Sequence, residues 1–143
     1  MREELDDELY TQITELCDRG NELTEAECYR EAIEPFLKAL TLIPKPIEKW
    51  EASTYILVAL GDCFFMLDEF EQSFQYLTHA MRCPGSIGNE FIHLRLGQVQ
   101  YELGNNARAK DELARAYMGG GAEIFETENP KYLNYLRRFM QDI

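Results

Sequence analysis

Small and large apolar residues recur along this chain at a fixed helical spacing. The triplets Ala32/Phe36/Ala39, Ser73/Leu77/Ala80 and Ala109/Leu113/Ala116 each step by four and then three residues, which puts all three side chains on one helix face. A glycine stands twelve residues before each triplet: Gly20, Gly61 and Gly97, spaced 41 and 36 apart. Two antiparallel helices approach closely only where small side chains face each other, with large apolar residues filling the gaps. The pattern therefore predicts helical hairpins, each leaving an apolar face that a neighbour must cover.

Punctuation sets the boundaries. Helices are expected over about 3–23 and 28–42, with Pro44 and Pro46 closing the first hairpin at about 3–44. A long third helix is expected over about 47–67 and a fourth over about 69–82, making a hairpin of about 46–83. Asp68, with Glu71 three residues on, reads as an N-cap with a capping box for the fourth helix. Cys83-Pro84-Gly85-Ser86 reads as a turn, and helices over about 88–103 and 106–118 make a third hairpin. Gly119-Gly120-Gly121 reads as a flexible bend, and Asn129-Pro130 opens a closing helix over about 130–141, with Tyr132, Leu133, Leu136, Phe139 and Met140 on one apolar face.

With Leu96-Gly97, Tyr101, Gly104, Ala109, Leu113 and Ala116 in the third hairpin, the chain resembles the tetratricopeptide repeat. Leu60-Gly61, Phe64, Phe70, Leu77 and Ala80 repeat the pattern, as do Gly20, Leu23, Tyr29, Ala32, Phe36, Ala39 and Pro44. The resemblance implies a single all-α domain: a right-handed superhelix of three antiparallel hairpins plus a capping helix. Against a 34-residue repeat, the spacings of 41 and 36 imply insertions of seven and two. The seven are expected as two extra helical turns around Trp50. Departures are Arg19, Ser73 and Pro35, the last expected to kink its helix.

Composition narrows the function. Among 143 residues, 45% are hydrophobic, enough for one globular domain. The net charge of −12 argues against nucleic acid and against anionic membrane. Residues 1–34 carry twelve acids and three bases, so the first quarter holds most of the field. Cys17, Cys28, Cys63 and Cys83 form no C-x-x-C pair, and no signal peptide or apolar span is legible. The expected setting is the reducing cytoplasm, with the thiols as small core residues.

Enzymatic chemistry finds no foothold. His93 is expected to pack inside a hairpin and His79 to sit on the surface, and no nucleophile–histidine arrangement is legible. The acidic run Glu3, Glu4, Asp6, Asp7 and Glu8 lacks calcium-loop spacing and reads as a solvated helix face. No catalytic, cofactor-binding or metal-ligating residue and no small-molecule substrate is expected.

The repeat register implies a concave groove lined by the first helix of each hairpin. Its candidate protein-binding residues are Tyr55, Asp62, Phe65, Met66, Phe91, Arg95, Gln98, Tyr101 and Glu102. Phe65 and Phe91 are either groove walls or, if the third or last helix covers them, core. The clamp that some relatives use on acidic chaperone tails would fall at Cys17, Asn21, Ala59, Phe91 and Arg95, and only Asn21 and Arg95 fit it.

A narrower resemblance covers residues 88–97, Arg115-Ala116-Tyr117-Met118, Glu123-Ile124-Phe125 and Asn129-Pro130-Lys131-Tyr132-Leu133. These segments resemble a group of small bacterial tetratricopeptide proteins that includes immunity proteins of polymorphic toxin systems. The resemblance implies a protein that binds and neutralises a toxin domain. A basic toxin such as a nuclease suits an acidic binder. A chaperone or adaptor for a secreted or regulatory protein is the alternative.

Overall fold

The computed structural model describes residues 4–141 and 143. Glu3, in the acidic run, lies outside them. Among the described residues seven α-helices follow in order: α1 (Asp7–Glu25), α2 (Tyr29–Leu42), α3 (Glu51–Met66), α4 (Phe70–Ala80), α5 (Glu90–Glu102), α6 (Asn106–Gly120) and α7 (Pro130–Arg137). Among the described residues there is no β-strand. α1 pairs with α2, α3 with α4 and α5 with α6. The hairpins stack through α2 on α3 and α4 on α5, and α7 packs on α6.

The glycine–triplet pattern is the packing device. A Cβ on Gly20 would meet the Phe36 ring at 2.5 Å, on Gly61 Leu77 Cγ at 2.6 Å, and on Gly97 Leu113 Cγ at 2.7 Å. Each glycine thus receives the large central residue of the triplet on its partner helix. All nine triplet residues are fully buried. Ser73 departs from alanine for a reason: its hydroxyl donates to the Gly61 carbonyl at 2.7 Å across the α3–α4 contact.

The three hairpin turns share one geometry. Glu27 (φ 61°), Asp68 (φ 59°) and Gly104 (φ 84°) are left-handed. After each, a backbone N–H reaches five residues back: Cys28 to Leu23 at 2.8 Å, Glu69 to Phe64 at 2.9 Å and Asn105 to Gln100 at 2.8 Å. This is the Schellman closure, which satisfies a helix-end carbonyl. Asp68 is therefore the bend residue, and the expected capping box does not form: α4 is capped by Glu69 without a side-chain bond.

The insertion after α2 is not extra helix. α3 begins at Glu51, and Ile47–Lys49 make a separate 3-10 turn. Pro44 and Pro46 supply no N–H, and side chains hold the segment instead. Trp50 Nε1–H donates to the Pro44 carbonyl at 2.8 Å and the Ser53 hydroxyl to the Ile47 carbonyl at 2.5 Å. Glu48 meets His79 Nε2 at 2.6 Å, so His79 is partly buried and paired rather than a plain surface residue.

The C-terminal boundaries also shift. α2 runs through Pro35 as one helix. α6 continues through Gly119 and Gly120, where added side chains would meet Glu90 Cβ at 3.0 Å and Ile124 Cγ2 at 2.5 Å. Only Gly121 (φ 68°) bends the chain, so the triple glycine is mostly a close-packed helix end. A 3-10 turn, Ala122–Phe125, leads to α7. Asn129 caps α7 through a 3.0 Å bond from Lys131 N, and the helix ends at Arg137, four residues earlier than expected.

Candidate functional site

The first helices of the hairpins line a concave groove of about 850 Å³. Tyr55, Asp62 and Met66 stand seven and four residues apart on one face of α3, and Phe91 and Arg95 stand one turn apart on α5. Three large side chains face outward: Tyr55 is 52% exposed, Met66 47% and Phe91 62%. Asn21 of α1 donates to the Tyr55 hydroxyl oxygen at 2.7 Å and holds the ring across the hairpin junction. The loop between α4 and α5 closes one side, where Pro84 accepts from the Thr54 hydroxyl at 2.7 Å.

Arg95 divides this groove from the rest of the concave side. Its Nε donates to Asp62 at 2.8 Å, and one terminal nitrogen donates to Gln98 at 2.8 Å and Glu128 at 3.1 Å. The guanidinium also lies 4.3 Å from the Phe65 ring centroid. Burial works against the Arg95 charge, but Asp62 and Glu128 outweigh it and leave the group more basic than usual.

Beyond Arg95 the chain partly covers itself: one expected groove residue, Gln98, is corrected, while Phe65, Tyr101 and Glu102 are half-buried, and Phe65 and Glu102 line a smaller pocket of about 490 Å³ beside Thr127 and Glu128. Gln98 is fully buried and donates to Glu128 at 2.7 Å. Tyr101 packs edge-on against Tyr132 and Tyr135, with centroids 5.4 and 5.1 Å away. Glu102 accepts from the Tyr132 hydroxyl at 2.8 Å and pairs with Lys131. Phe65 lies under Arg95 and against Phe70 at 5.7 Å. Burial, then the Glu102 bond, pushes the Tyr132 phenol far above its usual range. The cause is tertiary: α7 packs on α6, its Tyr132 and Tyr135 reach Tyr101 near the end of α5, and the segment before α7 sets Glu128 against Arg95, 33 residues away. No local signal marks Glu128. Cys17 of α1 and Leu94 of α5 are buried core.

Neither histidine is arranged for nucleophilic catalysis. His93 is 5% exposed, accepts the Gly88 N–H on Nε2 at 3.2 Å and meets Glu112 through Nδ1 at 2.6 Å. An accepting Nε2 places the proton of the neutral ring on Nδ1, facing the carboxylate. The imidazole thus ties α5 to α6 and to the preceding loop, inside the hairpin as expected. All four cysteines are free. Burial, then Asp18 and Asp62 respectively, raises the Cys17 and Cys63 thiols to about 11, and burial also raises Cys83. These thiols stay protonated at neutral pH and are poor nucleophiles. Among the described residues no group of three His, Cys, Asp or Glu side chains is placed to hold a metal, and no helix is long and apolar enough to cross a membrane.

No protein-family model and no curated protein matches the sequence. Solved structures do match over nearly the whole chain. The first TPR domain of Spaghetti (RPAP3), bound to the HSP90 peptide SRMEEVD, aligns with TM-score 0.67 and 18% identity over 90% of each chain. The C-terminal TPR-containing domain of a Plasmodium falciparum putative FK506-binding protein aligns with TM-score 0.73 and 16% identity, over 95% of this chain and 91% of that one. PcrH, in complex with the chaperone binding region of PopB, aligns with TM-score 0.63 and 17% identity over 96% of each chain. Identities this low speak to architecture, and with the hairpin packing and shared turns described above they establish that this chain has the tetratricopeptide-repeat fold.

Proposed function

We propose that this chain is a non-enzymatic protein-binding module that neutralises a basic toxin domain by holding one of its segments in the groove between α1, α3 and α5. The carrying observation is the exposure of Tyr55, Met66 and Phe91 together on one concave face beside Asp62. Rigid aromatic and flexible thioether side chains in a preformed groove supply contact area at low entropic cost. Tyr55 and Met66 are eleven residues apart on α3, about 16 Å at helical rise. About five residues of extended chain span that length.

Charge supports a basic partner. The chain carries −12, and Arg95, the one arginine among the described residues that line the groove, is already held by two carboxylates. Arg95 is thus not available to an acidic tail, whereas the field favours the approach of a basic segment. The structural likeness to TPR domains bound to an HSP90 peptide and to a region of PopB supports a groove used for protein segments. The toxin reading draws on the narrower sequence resemblance. A cytoplasmic setting suits four free thiols.

Co-expression with the protein encoded beside it tests the reading. A one-to-one complex should form, and cells carrying an active toxin should survive only with the binder intact. Tyr55→Ala and Phe91→Ala should each raise the off-rate about tenfold or more. Absence of a complex would sink the proposal. A stable complex that leaves the cells dying would favour a second reading, a chaperone for a secreted protein. The PcrH alignment, complete over 96% of both chains, supports that alternative.

A further inference from the structure

A second cavity, of about 550 Å³, opens beside the groove between the start of α1 and the segment that leads into α3. Tyr10 and Trp50 form aromatic walls, with Glu4, Asp7, Lys49 and Glu51 around them. Residues that exceed the 34-residue repeat build it, so it belongs to this chain rather than to the repeat pattern. Trp50 is pinned by its 2.8 Å bond to the Pro44 carbonyl, and Tyr10 is 60% exposed.

The chemistry of these walls selects a cation. Aromatic faces attract ammonium and guanidinium groups through the ring quadrupole, and nearby carboxylates add Coulomb attraction. One such contact already exists within the chain: the Lys49 ammonium lies 5.0 Å over the Trp50 ring. Glu4 and Asp7, of the acid-rich residues 1–34, stand at the cavity together with Glu51. Glu51 and Pro84 line both this cavity and the groove, so a segment leaving one enters the other.

We propose that the Tyr10–Trp50 cavity is a subsite for a lysine or arginine side chain of the partner segment held in the neighbouring groove. The proposal rests on the protein-binding reading above and adds where the partner's positive charge is read. The exposed apolar residues Tyr55 and Phe91 would grip the segment, and the cavity would select its basic flank. Partners with the same apolar pattern but an acidic flank would meet Glu4, Asp7 and Glu51 and be rejected.

Trp50 is the only tryptophan in the chain, so its fluorescence reports on the cavity. The probe is tetralysine with blocked ends, compared with blocked tetraglutamate and with sodium chloride at matched ionic strength. Tetralysine alone should give a saturable change. Tyr10→Ala and Asp7→Asn should each weaken it about fivefold to tenfold, the range of one cation–π or ion-pair contact. Asp18→Asn removes the same charge elsewhere on α1 and should leave the titration unchanged. Circular dichroism should show all three variants folded, since all three residues are exposed. No saturable response, or equal weakening by Asp7→Asn and Asp18→Asn, would overturn the subsite and leave only a general acidic field. In the partner complex, weakening by Phe91→Ala without any by Tyr10→Ala would also overturn it, while the groove reading stood. Failure of any partner to bind would remove the groove reading, and the tetralysine titration would still decide the cavity.

Discussion

Gly97 has no room for a methyl group: its Cβ would lie 2.7 Å from Leu113 Cδ2 and 3.0 Å from Leu113 N. Alanine in a helix gains about 1 kcal/mol over glycine, whereas overpacking a close contact costs about 1–3 kcal/mol. Overpacking should win here, because a backbone atom of α6 shares the contact and cannot swing away. Gly97→Ala is therefore expected to lower stability by about 1–2 kcal/mol, read as a drop in urea midpoint at constant slope. The thiols make a second prediction at this scale. Cys17, Cys63 and Cys83 are buried with raised pKa values, and Cys28 alone is partly exposed. Mild native alkylation at neutral pH should add one label, at Cys28, and denaturant should expose the other three. Rapid native labelling of Cys63 would contradict the packing of α3 on α4.

At the scale of elements, each hairpin turn requires a left-handed residue, and only the third uses glycine. A non-glycine residue in this conformation costs about 1–2 kcal/mol, and glycine's greater freedom when unfolded returns about 0.5–1 kcal/mol of that. Glu27→Gly should therefore stabilise the chain by up to about 1 kcal/mol, and Asp68→Gly by less, because aspartate tolerates the conformation better. Destabilisation by Glu27→Gly in thermal melts would show that the Glu27 side chain contributes more than its strain costs. The Pro44–Trp50 segment depends on pH. The bond to His79, first, holds the Glu48 carboxyl below the usual glutamate range. A carboxyl lowered on folding contributes stability that is complete above its unfolded value, near about 4.3, and is lost as pH falls through the lower folded value. In thermal melts against pH, the acid loss of this contribution should thus begin near the ordinary glutamate range and be complete only below it. In His79→Ala this loss should shrink; an unaltered profile would mean that the His79–Glu48 contact does not hold the segment.

The whole molecule is electrically lopsided, with most of its net negative charge in residues 1–34. A basic partner should be drawn toward α1, and salt should slow the encounter, since charges are screened over about 10 Å at 0.1 M. Raising salt from low to physiological strength should lower the association rate at least several-fold, with a smaller effect on dissociation. Replacing Glu8, Glu15 and Asp18 by Lys should lower the on-rate. These residues are exposed and leave Asp6 to cap α1 through its 2.9 Å bond from Glu8 N. Phe91→Ala should raise the off-rate. Surface plasmon resonance at two salt concentrations separates the effects, and an on-rate indifferent to both salt and the three lysines would remove the steering mechanism.

Packing by close approach is local in kind, because a glycine and a triplet twelve residues on lie within one hairpin. The sequence alone therefore determined the three hairpins, their contact faces, the structural place of His93 and the Asn129-Pro130 start of α7. It also placed Tyr55 and Met66 on the groove face through helical spacing and repeat register, but left Phe91 open between wall and core until the structure exposed it. Only the tertiary structure decided the rest. The insertion around Trp50 became a pinned loop because proline withheld the N–H groups that helix needs and Pro44, Ile47 and His79 offered other partners. Asp68 became a bend because three equivalent turns demand one geometry whatever residue stands there. Gln98 was withdrawn from the groove, and Tyr101 and Glu102 were half-covered, because the segment after α6 returns past the end of α5, where Glu128 meets Arg95 across 33 residues. Helical periodicity extends over a few turns of one element, and such pairings depend instead on how the ends of a finished stack are covered.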